Sequence, residues 1–119
     1  MNIDWLNTDK IIPIGLKSEE CYFEVSVYEK NSNNYVLVSN MIGDNKGTLY
    51  ELISNVFIQV EKNFQVTDIY QIIDKATFNV LKENQWKNIN YNQLEFNDKY
   101  QIVKTSFFDF LNSYRKSFD

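Results

Sequence analysis

Residues 43–48 read GDNKGT and combine two glycines, a lysine and a threonine, which are residue types that cradle phosphates in nucleotide-binding loops. In those loops the lysine follows the second glycine, so that its ammonium group reaches the phosphates. Here Lys46 precedes Gly47, and the carboxylate of Asp44 would repel a phosphate. The spacing therefore predicts a turn that leads into a helix rather than a nucleotide site.

The chain of 119 residues contains no histidine, the side chain that most often acts as a general base, activates a nucleophile or binds a metal. Cys21 is the only cysteine, so an intramolecular disulfide is excluded, and we expect this thiol to be a small buried core residue. A zinc site needs several cysteine or histidine ligands. We therefore predict that the protein uses no metal and no cofactor.

Carboxylates are the remaining candidates for acid–base chemistry or for binding Mg²⁺. Glu19, Glu20 and Glu24 lie close together early in the chain, and Asp68 and Asp74 follow later. No pair of these residues has a spacing that indicates a glycosidase or a two-metal site. We predict a solvated acidic face and no enzymatic activity, and a carboxylate-based, Mg²⁺-dependent enzyme is the alternative.

Aromatic residues make up 16% of the sequence and suggest a second kind of site. Tyr22 and Tyr28 share a predicted strand face with Glu24, while Trp86 and Tyr91 lie in an asparagine-rich segment. Tyrosine and tryptophan are enriched among the anchors of protein interfaces. We therefore predict a partner-binding surface of acidic and aromatic side chains, made of Glu19, Glu20, Tyr22, Glu24, Tyr28, Trp86 and Tyr91. In the alternative, the N-terminal segment or the second helix covers this face, and the tyrosines belong to the edge of the core.

Period-two alternation predicts the strands that would position these residues. Residues 21–28 place apolar side chains on one face and Tyr22, Glu24 and Tyr28 on the other. Residues 35–42 form a second β-rich run, and the two runs predict an antiparallel hairpin. Residues 11–15 contain the only proline, which predicts an edge strand or a packed loop.

Two segments show the apolar spacing of an amphipathic helix, residues 48–64 and 106–118. Thr48 followed by Glu51 predicts a capping box at the start of the first helix. Ser106, with a carboxylate three residues later, predicts the cap of the second helix.

The intervening residues are harder to assign. Residues 66–81 preserve a helical spacing, but their β-branched and aromatic content favours two strands, 66–73 and 77–81. Residues 91–96 and 100–104 predict two further short strands. The expected structure is a single α+β domain over residues 1–119, with two amphipathic helices (48–64 and 106–118) on an antiparallel sheet of about four to six strands.

Charge and hydropathy restrict the class of function. The net charge is −4, and Arg115 is the only arginine, so the sequence lacks the basic stripe typical of nucleic-acid binding. The first twenty residues contain no long apolar run, and no segment approaches the ~20 apolar residues that span a bilayer. We predict a cytoplasmic protein without nucleic-acid or membrane partners.

These features favour a small acidic protein-binding protein. The most concrete form is an inhibitor or immunity protein that neutralises a toxin or effector, for example a basic nuclease, by occluding its active site. Carboxylates would complement the basic partner and aromatic groups would supply affinity. The alternative is a bacterial or phage structural or assembly subunit that acts as a homo-oligomer, including a homodimer.

Overall fold

The computed structural model describes residues 10–30, 32–94 and 97–115, and within them it contains six strands and three helices. The strands are β1 (Lys10–Ser18), β2 (Cys21–Lys30), β3 (Asn33–Ile42), β4 (Asp68–Asp74), β5 (Asn92–Leu94) and β6 (Tyr100–Ser106). The helices are α1 (Lys46–Phe64), α2 (Lys75–Glu83) and α3 (Phe107–Arg115). The predicted α+β class is confirmed, with one helix more than the sequence analysis predicts.

The strands form one sheet in the order β1-β2-β3-β4-β6-β5. Neighbouring strands are antiparallel except β3 and β4, which run parallel with Leu37 opposite Tyr70. The prediction of a wholly antiparallel sheet was therefore wrong at this pair. The physical reason is α1, which returns the chain to the end of the sheet where β3 begins, so that β4 starts in the same direction.

The edge strand predicted around residues 11–15 is confirmed as part of β1. A short turn joins it to β2, with Ser18 opposite Cys21. Glu19 in this turn has a left-handed backbone conformation, with φ of 54°.

The segment 66–81 is a strand followed by a helix, so the predicted strand at 77–81 was wrong. Asp74 ends β4 and caps α2, because its side chain accepts hydrogen bonds from the amide (2.8 Å) and the hydroxyl (2.7 Å) of Thr77. These bonds favour the ionised carboxylate, and they hold the pKa of Asp74 below its usual value. A strong aspartate cap outweighs the β-branched residues that follow it.

Helix α1 begins at Lys46, two residues earlier than predicted. The side chain of Asn45 accepts a hydrogen bond from the amide of Thr48 at 3.0 Å, so Asn45 is the cap and the predicted capping box was wrong. Asparagine is among the strongest capping residues and tolerates the extended backbone found here.

The predicted cap of the last helix is confirmed. The hydroxyl of Ser106 accepts a hydrogen bond from the amide of Asp109 at 3.0 Å and donates one to its carboxylate at 2.9 Å. Residues 116–118 of the predicted helix lie outside the described residues.

All three helices lie on one face of the sheet. The main core cluster joins the odd-numbered side chains of β2, such as Phe23, to buried side chains of α1 and α3, such as Phe57 and Phe110. A second cluster joins Phe78 of α2 to Val103 of β6. The chain therefore buries one face of the sheet under helices, and its opposite face determines the candidate site.

Candidate protein-interaction surface

The open face, as we call the side of the sheet opposite the helices, contains the third apolar cluster. Leu37 and Ile102 are buried there, and half-buried Tyr28, Tyr35 and Tyr70 pack against them. No helix residue belongs to this cluster, and within the described ranges every helix packs on the other face. Three tyrosine side chains therefore lie on a sheet face that no described helix covers.

Tyr28, Tyr35 and Tyr70, which we call the tyrosine surface, come from three adjacent strands. Tyr28 lies opposite Tyr35, and the rings of Tyr35 and Tyr70 meet edge to face with centroids 5.9 Å apart. The Lys104 ammonium lies 5.8 Å from the Tyr70 ring centroid and 3.9 Å from the Asp68 carboxylate. Four exposed apolar side chains among the described residues lie on the same face, namely Ile11, Ile42, Ile72 and Tyr100.

Glu24 lies on the open face toward the β1 edge, and two hydroxyl groups hold its carboxylate. Tyr22 donates to one carboxylate oxygen at 2.6 Å, and Ser39 donates to the other at 2.8 Å. The hydrogen bond from Tyr22 lowers the pKa of Glu24, and the bond from Ser39 adds to this effect. The hydrogen bond between Tyr22 and Glu24 also raises the pKa of Tyr22. Glu24 is therefore ionised at neutral pH.

A β-bulge brings Ser39 to this carboxylate. In β3, Val38 pairs with Val25 and Asn40 pairs with Glu24, so Ser39 is an extra residue in the ladder. A bulge of this kind redirects a side chain, and here it lets both Ser39 and Asn40 lie opposite Glu24.

Gly15 of β1 provides the room that Tyr22 needs. Gly15 pairs with Glu24, and a Cβ atom on Gly15 would lie 2.6 Å from the Tyr22 hydroxyl oxygen. The hydroxyl end of Tyr22 therefore lies over a position where only glycine fits without displacement. We call Gly15, Tyr22, Glu24 and Ser39, which come from three strands, the Glu24 site.

The structure brings together most of the partner-binding residues predicted from the sequence. Tyr22, Glu24 and Tyr28 share the open face, and Glu19 and Glu20 are exposed in the turn next to Tyr22. The period-two pattern of β2 was the signal that grouped the first three.

Trp86 and Tyr91 lie elsewhere, in the second core cluster. Trp86 is 3% exposed and packs against Phe78, and Tyr91 is half-buried with its ring centroid 5.5 Å from that of Trp86. These two residues stabilise the packing around α2, and we do not retain them in the interaction surface.

The edges of the sheet are less suited to a partner than its open face. β1 forms one edge, where Pro13 has no N–H for an added strand and Lys10 and Lys17 add charge. β5 forms the other edge, where the structure describes Asn92–Leu94.

Two clefts are found among the described residues, and the second is lined in part by Asp68 and Lys104 of the open face. One, of about 530 Å³, lies between the start of α1, the end of α2 and α3, and its polar lining includes Lys46, Asn84 and Gln85. The other, of about 330 Å³, lies beside the start of α3 and includes Asn90 and Asp109.

Among the described residues, no three histidine, cysteine, aspartate or glutamate side chains are grouped closely enough to hold a metal ion. In the same part of the chain, no helix has both the length and the apolar character needed to cross a membrane. The sequence matches no protein-family model and no curated protein.

Proposed function

We propose that this chain is a protein-binding protein that neutralises a basic toxin or effector by docking its open face over the active site of that partner. The observation that carries the proposal is the tyrosine surface, which lies on a sheet face without a described helix, the same face that carries the ionised Glu24. The net charge of −4 favours a basic partner over an acidic one.

The chemistry of the open face suits this function. Tyrosine side chains provide a large contact area with little rotamer entropy to lose, and they form hydrogen bonds at their polar ends. Carboxylates at Glu24, Glu19 and Glu20 would attract a basic partner and raise its association rate. An inhibitor needs only this complementarity and no chemistry of its own.

Tyr28→Ala tests the proposal, and we expect it to weaken partner binding at least about tenfold, as truncation of an aromatic interface anchor does. The unfolding free energy should fall by less than about 2 kcal/mol, because Tyr28 is only half-buried. The measurement is capture from native host lysate, read by mass spectrometry, together with urea denaturation of each variant. A larger loss of stability would make Tyr28 a core residue.

Glu24→Lys and Ile58→Ala complete the design. Glu24→Lys reverses the charge on the open face, whereas Ile58 is 60% exposed on α1 and serves as the matched control. The proposal requires one stoichiometric basic partner that wild type and Ile58→Ala capture and that Glu24→Lys and Tyr28→Ala lose. Equal capture by all four proteins would contradict docking through the open face.

A homo-oligomeric structural or assembly role is the second candidate. The exposed apolar side chains of Ile72 and Tyr100, which are diagonal neighbours on β4 and β6, favour it, since contiguous apolar surface often marks an interface. Light scattering on the captured sample separates the two. A discrete oligomer that Ile72→Lys converts to monomer, with no captured partner, would favour self-assembly.

A further inference from the structure

We propose that the Glu24 site binds the guanidinium group of an arginine side chain that the partner presents. This inference rests on the proposed function, because it identifies the chemical group that the open face recognises.

The first argument is that the carboxylate is fixed and lacks a cation. One hydroxyl holds each of its oxygens, so its orientation is set before any partner arrives. Within the described part of the chain, Lys104 forms an ion pair with Asp68. No described lysine or arginine forms an ion pair with Glu24. A fixed anion on a binding face selects a cationic group, since leaving it unpaired under a partner would be costly.

The second argument concerns the remaining acceptor capacity. A carboxylate has about four lone-pair positions, and the hydroxyls of Tyr22 and Ser39 occupy one on each oxygen of Glu24. One acceptor position on each oxygen is left. The paired N–H groups of a guanidinium match two adjacent carboxylate oxygens, whereas an ammonium group approaches as a point charge.

The third argument is the aromatic ring beside the carboxylate. Tyr22 reaches Glu24 by lying over Gly15, where no side chain stands between the ring and β1. A guanidinium bound to the carboxylate would have a tyrosine ring within reach, and arginine stacks on aromatic rings more readily than lysine does. Gly15, Tyr22 and Ser39 thus act as positioning residues for Glu24.

Lys17 is the nearest competitor on this part of the open face, because it lies opposite Tyr22 in the register of β1 and β2. Its side chain forms no described ion pair with Glu24. If an arginine of the partner occupies the site, Lys17→Met should leave binding unchanged or strengthen it by removing a neighbouring positive charge.

The test uses two synthetic peptides, Gly-Arg-Gly-Arg-Gly and the same peptide with neutral citrulline in place of both arginines. Each is titrated into the ¹⁵N-labelled full chain, and amide chemical shifts are followed by NMR. We expect saturable shifts at Tyr22, Glu24 and Ser39 with the arginine peptide, and affinity at least about tenfold weaker with the citrulline peptide.

Glu24→Gln keeps the shape of the side chain and removes its charge, and we expect it to weaken arginine-peptide binding at least about tenfold. Ser39→Ala should weaken binding less, because the tyrosine still holds the carboxylate. Glu51→Gln, an exposed carboxylate on α1, is the matched control and should bind like wild type. Unchanged thermal melting of each variant shows that the fold is intact.

The outcomes separate this inference from the proposed function. Equal binding of the two peptides, or full binding by Glu24→Gln, would overturn the arginine inference. If Glu24→Gln still captures the lysate partner while Tyr28→Ala does not, the proposed docking through the open face stands and the arginine inference fails. A twelve-residue oligothymidylate is the last probe. If it binds the tyrosine surface, and binds the protein more tightly than the arginine peptide does, the ligand of the open face would be a single-stranded nucleic acid. That result would overturn both the arginine inference and the proposed protein-binding function.

Discussion

Phe23→Ala is expected to lower the free energy of unfolding by about 3–5 kcal/mol, the usual cost of removing a buried phenylalanine. Phe23 is 0% exposed and lies at the centre of the main core cluster. Its ring centroid lies 5.9 Å from that of Phe57 in α1 and 6.1 Å from that of Phe110 in α3. Truncation would leave a cavity where the sheet and two helices meet.

Urea denaturation followed by circular dichroism measures this loss. Ile58→Ala, on the exposed side of α1, is the control and should change stability by no more than about 0.5 kcal/mol. If Phe23→Ala does not fold, Phe23→Leu provides a milder truncation at the same position. A loss below about 1 kcal/mol for Phe23→Ala would contradict the packing of both helices on this face.

Gly43→Ala should destabilise the protein by about 3 kcal/mol, through backbone strain and steric overlap that each cost about 1–3 kcal/mol. Gly43 has φ of +116°, a backbone conformation that residues other than glycine rarely adopt. A Cβ atom there would also lie 2.5 Å from the sulfur and 3.0 Å from the Cα atom of Cys21. The turn between β3 and α1 therefore needs glycine for two independent reasons.

Gly47→Ala, four residues away, should have the opposite sign. Gly47 lies in the first turn of α1, and a Cβ atom there would be no closer than 3.4 Å to Asn45. Alanine is the better helix former, so we expect a gain of about 0.5 kcal/mol in stability.

The double variant Cys21→Ala with Gly43→Ala tests the steric part of the Gly43 prediction. It should lose less stability than the sum of the losses of the two single variants. Strict additivity would show that the thiol is not the obstacle.

The elements that the sequence predicted correctly depend on local periodicity. The apolar stripe of α1 and the alternation of β2 follow from residues within a few positions of each other, so no tertiary information was needed. The helix after Asp74 was missed because one cap outweighed the β-branched residues downstream. The parallel pairing of β3 and β4 depends on where α1 returns the chain, which composition does not encode.

The candidate site was predictable to a similar extent. Alternation along β2 grouped Tyr22, Glu24 and Tyr28, because residues two apart share a face. Ser39 and Gly15 could not be found in this way, since their positions depend on a bulge and on the register between strands. Tryptophan in a polar segment was a misleading signal, because Phe78 of α2 and Val103 of β6 pack in the same cluster and leave Trp86 buried.

The parallel junction between β3 and β4 has a consequence for folding. It divides the sheet into two halves, β1-β2-β3 and β4-β6-β5, in which the strands are all antiparallel. The first half is a meander with short loops, whereas the junction brings together residues separated by the whole of α1, so its loop-closure entropy is larger. Tyr28 and Tyr35 belong to the first half, and Tyr70 belongs to the second. The complete tyrosine surface therefore forms only when the two halves join, and a chain arrested before that step would carry just part of the surface that we propose as the docking site.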